Sequence, residues 1–336
     1  MLKNLEKLCS LTAPSGNEES VREFIISEIK DYCTCFVDPM GNVIAEKKGK
    51  KTPNKKIMVD AHMDEVGIII TSVDSDGFLR FDTVGGIENA VMVAKRVKIG
   101  DVHGVIGSKP VHLTDKSAAK KFVKAEDLYV DIGAKTKEEA LNAVSIGDYG
   151  VFEGGFYQNG DMLLARAIDD RAGCAVLIDL VKSPSEYDFT AVFSVQEEVG
   201  LRGARVATFT VDPHFAIVLE ATTAADIAGV EDGKKVCRVG NGPAVSFMDR
   251  STVYDRALYD FALNKSGVKC QPKCAVAGGN NSGAVHLNKG GVRTVAVSVP
   301  CRYLHTPSCV ASFADVENAR KLAEALICEM GSNENL

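Results

Sequence analysis

The 336-residue chain contains no tryptophan. A flat indole platform, the kind of surface on which sugar rings stack, is therefore excluded. No apolar run reaches the roughly 18–20 residues of a helical membrane span. The opening stretch, MLKNLEKLCSLTAPSG, puts Glu6 and polar residues where a secretion signal needs a continuous apolar core. Positive charge is not in excess: 39 Lys and Arg stand against 45 Asp and Glu, for a net charge of -6. That balance argues against a nucleic-acid surface, which wants a basic patch. There is no internal repeat and no low-complexity segment. The expectation is a cytoplasmic protein with neither a membrane nor a nucleic acid as partner.

What is present is ordinary for a globular protein: 46% hydrophobic and 25% charged residues, in a chain long enough for two domains. Ten cysteines without a secretion signal read as free thiols rather than a disulfide framework. Cys270 and Cys274, in KCQPKC, have near-metal spacing. No second Cys/His pair follows at zinc-ribbon distance, so two unrelated loop thiols is the better reading.

Along the chain, NEESVREFIISEIKDY places Val21, Phe24, Ile25 and Ile29 on one helical face, with Asn17 as the expected N-cap. CTCFVDPMGNVIAEKKG reads as two strands around a Met40-Gly41-Asn42 turn. KKTPNKK is a solvated basic loop. From Gly67 to Asp161 short β-like runs are punctuated by Gly and Asp, and only KTKEEALNAV reads as a helix. That texture predicts a β-barrel or sandwich. Afterwards helices and apolar strands alternate again, and SFADVENARKLAEALICEM closes the chain as an amphipathic helix capped near Ser312 or Asp315. The expected fold is α/β, a mixed and mostly parallel sheet flanked by helices. A β-rich barrel at residues 67–161 interrupts a catalytic domain made of residues 1–66 and 162–336.

The run IMVDAHMDEVGIII is apolar at both ends yet carries Asp60, His62, Asp64 and Glu65 in its middle. Buried charges are costly unless something pairs with them. Other apolar runs end in the same residue types: Asp169 and Asp170, Glu197 and Glu198, Glu220, and His305. Each alone has a bland reading, as a helix-favouring acid pair or a hydrogen-bonded structural histidine. Together they fall near the carboxyl edge of an α/β sheet, where ligands bind. Several carboxylates at one edge repel each other unless cations neutralise them. Imidazole plus carboxylate suits Zn²⁺, Co²⁺ or Mn²⁺. Two such ions polarise a carbonyl and lower the pKa of a water, and a carboxylate that is not a ligand can act as general base. The adjacent glutamates of QEEVG can divide those two duties.

The segments DAHMDEVG, AIDDRAGC, QEEVGLRGA, VLEATTAAD and CRYLHTP, in this order, resemble the tetrahedral aminopeptidase family. These are co-catalytic metallopeptidases of glutamyl aminopeptidase and endoglucanase M type. HGVIGSKPVHL and LYVDIGA extend the likeness into the insertion, so it covers nearly the whole chain. The resemblance implies two divalent ions per subunit. His62, Asp169 and Glu220 would bind one. Asp169, Glu198 and His305 would bind the other, with Asp169 bridging. Asp64 would orient the His62 ring, and Glu197 would be the general base toward a metal-bridging water. A cis bond between Asp169 and Asp170 is implied, as are short peptide substrates and dimers that assemble, through the insertion, into a tetrahedral dodecamer. The chain departs from the family pattern at GGNNSGA, where Asn281 stands for an acid and would remove a charge from the substrate pocket, and at Cys309, which stands where relatives carry Glu.

The implied activity is removal of N-terminal residues from short peptides. A dipeptidase or deacylase would share the same metal chemistry. An endoglucanase-type glycosidase needs only two carboxylates and leaves His62 and His305 unexplained. An inactive shell-forming homologue would rest on Asn281. His103, His112, His214 and His286 read as structural, and Asp60 and Glu65 receive no role.

Overall fold

All six residues of the strand Ile57–His62 are buried. Ile57, Val59 and Ala61 join the large core that also holds the helix Ile168–Lys182, while Met58 packs on the other face with Ala204, Ala207 and Val285. A strand clothed on both faces belongs at the centre of a sheet, and that is its place. The computed structural model describes residues 1–110 and 124–336. His112 and the end of HGVIGSKPVHL lie outside the described residues.

The large sheet runs Thr34–Val37, Val43–Lys47, Phe189–Ser194, Ile57–His62, Phe215–Thr223, Arg293–Arg302, Cys309–Ser312, Met162–Ala165, Tyr157–Asn159. It is mixed. The four strands from Phe189–Ser194 to Arg293–Arg302 are mutually parallel, and the outer pairings on the path are antiparallel. The parallel carboxyl ends therefore lie side by side in the middle. Tyr157–Asn159, inside the stretch expected to be insertion, pairs with Met162–Ala165 and so belongs to this sheet. The Met40-Gly41-Asn42 turn is tied by Asp38, whose Oδ1 accepts from the amides of all three residues at 2.9–3.0 Å.

Ile168–Lys182 is almost entirely buried, which explains its continuous apolar sequence. Asp169 and Asp170 leave helical geometry and the bond between them is cis, so the regular helix starts at Arg171. The closing helix Phe313–Ser332 is capped by Ser312, whose hydroxyl accepts from the Asp315 amide at 3.4 Å. The N-cap of Glu19–Ile29 is Glu18 rather than Asn17, with no side-chain cap. The Glu18 carboxylate is engaged elsewhere, by the Gly16 and Gln196 amides.

At Gly67 the chain leaves the sheet. Gly67–Val73, Leu79–Val84, Tyr129–Asp131, Val102–Gly107, Arg96–Ile99 and Tyr149–Phe152 close a six-stranded barrel around its own core of Ile68, Val97, Ile106 and Val130. The helix Lys137–Ala143 is the one read from KTKEEALNAV, with Thr136 as its cap. Among the described residues no helix is long and apolar enough to cross a membrane.

Candidate active site

The parallel strands deliver His62 at the last position of Ile57–His62, Glu197 and Glu198 just past Ser194, and Glu220 within Phe215–Thr223. His305 follows Arg293–Arg302, on a loop where Tyr303 and His305 both have positive φ. Asp169 follows the strand Met162–Ala165, which runs in the same sense as the four parallel strands, and stands at the start of the buried helix.

Asp169 stands between the two imidazoles. Its Oδ1 is 3.3 Å from His62 Nε2 and its Oδ2 is 3.3 Å from His305 Nε2. His62 Nε2 is also 3.3 Å from Glu220 Oε1, and His305 Nε2 is 3.2 Å from Glu198 Oε1. Two trios with metal-holding geometry result: His62, Asp169 and Glu220; and Asp169, Glu198 and His305. Ligands about 2.0–2.1 Å from a tetrahedral zinc stand about 3.3–3.4 Å apart, so the spacing fits. So does the hydrogen-bond account: Asp169 Oδ1 and Glu220 Oε2 are buried with no hydrogen-bond partner. Such groups want a partner, and a cation supplies it. A third trio, His62, Glu197 and Glu198, overlaps these, with Glu197 Oε2 at 4.0 Å from His62 Nε2.

Both imidazoles are oriented by backbone carbonyls. His62 Nδ1 lies 3.1 Å from the Asp64 carbonyl, and His305 Nδ1 lies 2.7 Å from the Gly86 carbonyl. Each Nδ1–H donates there, leaving Nε2 free to face Asp169. The Gly86 acceptor comes from the loop after barrel strand Leu79–Val84. Neighbouring Gly85 has φ +84°, and a Cβ on it would meet Val66 Cγ1 at 2.9 Å and Glu198 Cβ at 3.1 Å.

Asp64 does more than face the His62 ring, from which its Oδ1 is 3.4 Å away. Its carboxylate accepts from the amides of Glu197 and Glu198, at 3.0 and 3.1 Å, and from Ser15 Oγ at 2.6 Å. Asp64 thus pins the turn that presents both glutamates. Glu18 assists from the Gln196 amide at 3.1 Å.

Burial pushes the Glu197 carboxyl well above the ordinary range, and Glu198, Asp64 and Asp169 add to this against the pull of His62. Burial likewise raises Glu220 and Glu198. Burial would lift Asp169 too, but the His305 and His62 rings that face it override this and hold Asp169 well below the usual carboxylate range. Burial works against charge on both imidazoles, yet the surrounding acids win: His62 is held well above its usual value and His305 is raised to about 11.

The other two acids of IMVDAHMDEVGIII, Glu65 and Asp60, find different partners. Glu65 is clamped between Arg166 and Arg171, with Arg171 Nη2 at 3.1 Å, and also accepts from the Ala13 amide at 3.1 Å. Asp60 accepts from Asn281 Nδ2 at 2.7 Å, and the same amide group reaches Ser194 Oγ at 2.9 Å. The expectation that Asn281 stands in the substrate pocket is therefore corrected. Its side chain faces Asp60, and its neighbour Asn280 lines the cavity instead. Burial raises Asp60 to about 6. Cys309 is buried and its thiol donates to the carbonyls of Tyr303 and Thr306 at 3.4 and 3.5 Å, bracing the loop that carries His305. Cys270 and Cys274 bond backbone carbonyls, and all ten cysteines are free. His103, His214 and His286 hydrogen-bond to Glu153, the Lys56 amide and the Ser282 carbonyl.

A cavity of about 290 Å³ opens from the cluster. Its wall beyond the acids includes Thr222, Val236, Lys273, Ala277, Gly279 and Asn280. Ser15 and Glu18 receive no role in the sequence analysis, because neither sits at the end of an apolar run.

Residues 41–322 match the sequence profile of a family described as M42 glutamyl aminopeptidase. A protein of Acetivibrio thermocellus is 40% identical over 334 residues, covering 98% of each chain. The lysyl aminopeptidase of Pyrococcus furiosus is 32% identical, over 97% of this chain and 96% of its own. Among solved structures, an aminopeptidase from the archaeon Desulfurococcus kamchatkensis superposes with a TM-score of 0.92 at 32% identity, over 99% of this chain and 97% of that one. The TET1 peptidase of Pyrococcus horikoshii, which can assemble into a tetrahedron or a large octahedral shell, gives 0.83 at 34% identity, over 97% and 98%.

Proposed function

The chain belongs to the M42 glutamyl aminopeptidase family, and from that premise we propose that it is a dinuclear metal-dependent aminopeptidase releasing N-terminal residues from short peptides. The observation that carries the proposal is Asp169, whose two oxygens each face the Nε2 of a different imidazole at 3.3 Å. His62 and Glu220 would hold one ion, Glu198 and His305 the other, with Asp169 shared. Zn²⁺ or Co²⁺, and also Mn²⁺, suit these nitrogen and oxygen donors. When bound, the ions would polarise the scissile carbonyl and make water a better nucleophile.

The chain's own groups account for the rest. Glu197 is outside both ligand trios that share Asp169, lines the cavity and has a raised carboxyl. It takes the proton from the attacking water and returns it to the leaving amine, for which a carboxyl poised nearer neutrality is suited. Asp64 acts through backbone amides to keep Glu197 and Glu198 on their separate duties. The Asp64 and Gly86 carbonyls keep both Nε2 atoms unprotonated and aimed inward once ions are bound.

We extend the assembly of the Pyrococcus horikoshii relative to this chain: subunits pair through the barrel, and dimers build a tetrahedral dodecamer. Free thiols throughout fit a cytoplasmic protein. Family membership does not choose the N-terminal residue, because the family description names glutamate while the Pyrococcus furiosus relative is named for lysine.

The test is chelation. Stripping metal abolishes hydrolysis of aminoacyl p-nitroanilides, and added Co²⁺ or Zn²⁺ restores it. Undiminished activity in a metal-free preparation overturns the proposal.

A further inference from the structure

The strands Arg293–Arg302 and Cys309–Ser312 are antiparallel neighbours, and Cys301 stands opposite Ala311. Cys309 comes two residues before Ala311, so it lies diagonally across from Cys301 on the same face of the sheet. Both cysteines pack into the large core, at 0% and 1% exposed. Their thiols hydrogen-bond to each other. Each also reaches the backbone. Cys301 donates to the Arg302 carbonyl at 3.4 Å, and Cys309 to the carbonyls of Tyr303 and Thr306.

The loop between the two cysteines carries His305. Tyr303 and His305 hold φ values of 59° and 57° there, a left-handed conformation that residues with a Cβ adopt at a cost. The Cys309 thiol, resting on two carbonyls of this loop, helps to maintain it. Cys309 also lines a niche of about 10 Å³ beside Asp169, Glu198 and His305. That is about the room taken by one water-sized molecule. The same three residues line the large cavity, so a small neutral oxidant has a route from the cavity to the Cys309 sulfur.

A disulfide needs Cβ atoms about 3.5–4.5 Å apart. Diagonal neighbours in a sheet stand roughly 7–8 Å apart, their Cβ atoms somewhat less. Closing the pair therefore pulls Cys309 toward Cys301 and takes its sulfur off the Tyr303 and Thr306 carbonyls. Resting on the proposed function, we propose that Cys301 and Cys309 are an oxidation site: peroxide joins them in a disulfide, and the closure draws His305 away from its place in the metal trio. The Cys309 sulfur, as thiolate, attacks one oxygen of hydrogen peroxide. The O–O bond breaks, and the departing hydroxide becomes water with the proton that the thiol gave up. The Cys301 thiol then attacks the sulfenic sulfur of Cys309. An S–S bond forms, the S–O bond breaks, and a second water leaves with the Cys301 proton. The two thiols lose two electrons, which reduce one peroxide to two waters. A dithiol reductant reverses the change by exchange.

The test treats the Zn²⁺-loaded enzyme with hydrogen peroxide, then with dithiothreitol. Mass spectrometry of tryptic peptides, which part after Arg302, reads the cross-link. Elemental analysis of the desalted protein reads zinc, and leucyl p-nitroanilide reads turnover. Peroxide is expected to join Cys301 to Cys309 and to lower zinc from about two ions per subunit to about one. Activity falls by about 10–100-fold, the range for disturbing the support of a metal ligand. Dithiothreitol with fresh Zn²⁺ restores both. Cys301→Ala starts with normal zinc and turnover and keeps them under peroxide; Cys301→Ser, closer in volume, does the same. Absence of the cross-link, or a cross-link from Cys309 to Cys9, whose thiol also feels Cys309, overturns the pairing. So does peroxide inactivation that persists in both variants. A Cys301–Cys309 disulfide that leaves zinc and turnover intact overturns the effect on His305. If the reduced enzyme cleaves no peptide, the aminopeptidase reading fails, and the cross-link and zinc readings still decide this inference.

Discussion

Two buried ionic clusters lie side by side where the strand Ile57–His62 ends, and they are built on opposite principles. Glu65, Arg166 and Arg171 find their partners within the chain, all but the buried Arg171 Nε. Glu65 meets both guanidiniums, and these also donate to the Leu8 and Leu11 carbonyls at 3.0 and 2.8 Å. This ties the N-terminal helix Leu2–Ser10, the strand end and the buried helix together. The second cluster sets Asp64, Asp169, Glu197, Glu198 and Glu220 against only two imidazoles, and leaves Asp169 Oδ1 and Glu220 Oε2 without partners. A cluster whose carboxylate is fully partnered by the chain maintains the fold. A cluster left with unpartnered oxygens holds a place for something else.

The sharpest way to break this contrast is to alter one glutamate in each. Glu197→Gln is expected to lower kcat by about 10²–10⁴-fold, the worth of a general base, with metal content near two ions per subunit by elemental analysis. Loss of metal instead would mean that Glu197 is a ligand. Glu65→Gln strands two buried guanidiniums and is expected to cost about 3–5 kcal/mol in denaturant unfolding, with metal stoichiometry unchanged in the protein that remains folded. If Glu65→Gln proves stable but metal-free, the division between the clusters is wrong.

Protons sharpen the comparison next. In the metal-free protein His62 and His305 have raised pKa values, as do Glu198 and Glu220. A raised group binds more protons folded than unfolded, so its contribution to stability falls as pH rises through the folded value. Ions must displace those protons, so they bind better as pH rises. Stabilisation by Zn²⁺ or Co²⁺, about 3 kcal/mol at a hundredfold excess over Kd, is therefore expected to be larger at pH 8 than at pH 6 in thermal melts. A gain that shrinks with pH would contradict an open cluster of this composition. The smallest effect belongs to Ser15→Ala, which removes one donor to Asp64. It is expected to cost about 1.5–3 kcal/mol, the range for a hydrogen bond to a charged group, and to slow turnover severalfold without loss of metal.

How far each cluster could be read from sequence follows from its construction. His62, Asp169, Glu198, Glu220 and His305 stand at or near the ends of apolar runs, where period and composition announce them, and the fold brings them together. The clamp on Glu65 was invisible because Arg166 and Arg171 are 101 and 106 residues away, in a segment read only for its acids. Asp64 is read through its neighbour His62, but two of its ties run to backbone amides 133 and 134 residues on, and backbone leaves no trace in residue identity. Asn281 was misplaced for a related reason. A motif gives the order of residues along a loop, not which one turns inward, and here Asn280 faces the cavity while Asn281 turns to Asp60. The edge of the barrel is blurred because Tyr157–Asn159 is as short as the barrel strand Tyr129–Asp131, and nothing in its composition says which sheet it joins.

The Gly86 carbonyl that orients His305 has a consequence for how such a chain can change over evolutionary time. An inserted domain is often a cassette, free to be lost, exchanged or borrowed. This one is not, because it carries on its own backbone the acceptor that orients His305 in the proposed metal site, and its Gly85 leaves no space for a bulkier neighbour beside Glu198. A recombination event that swapped the barrel would have to restore that loop to within a hydrogen bond. The two halves of the protein are therefore bound to a common ancestry, and any redesign of the barrel has to begin from those two glycines.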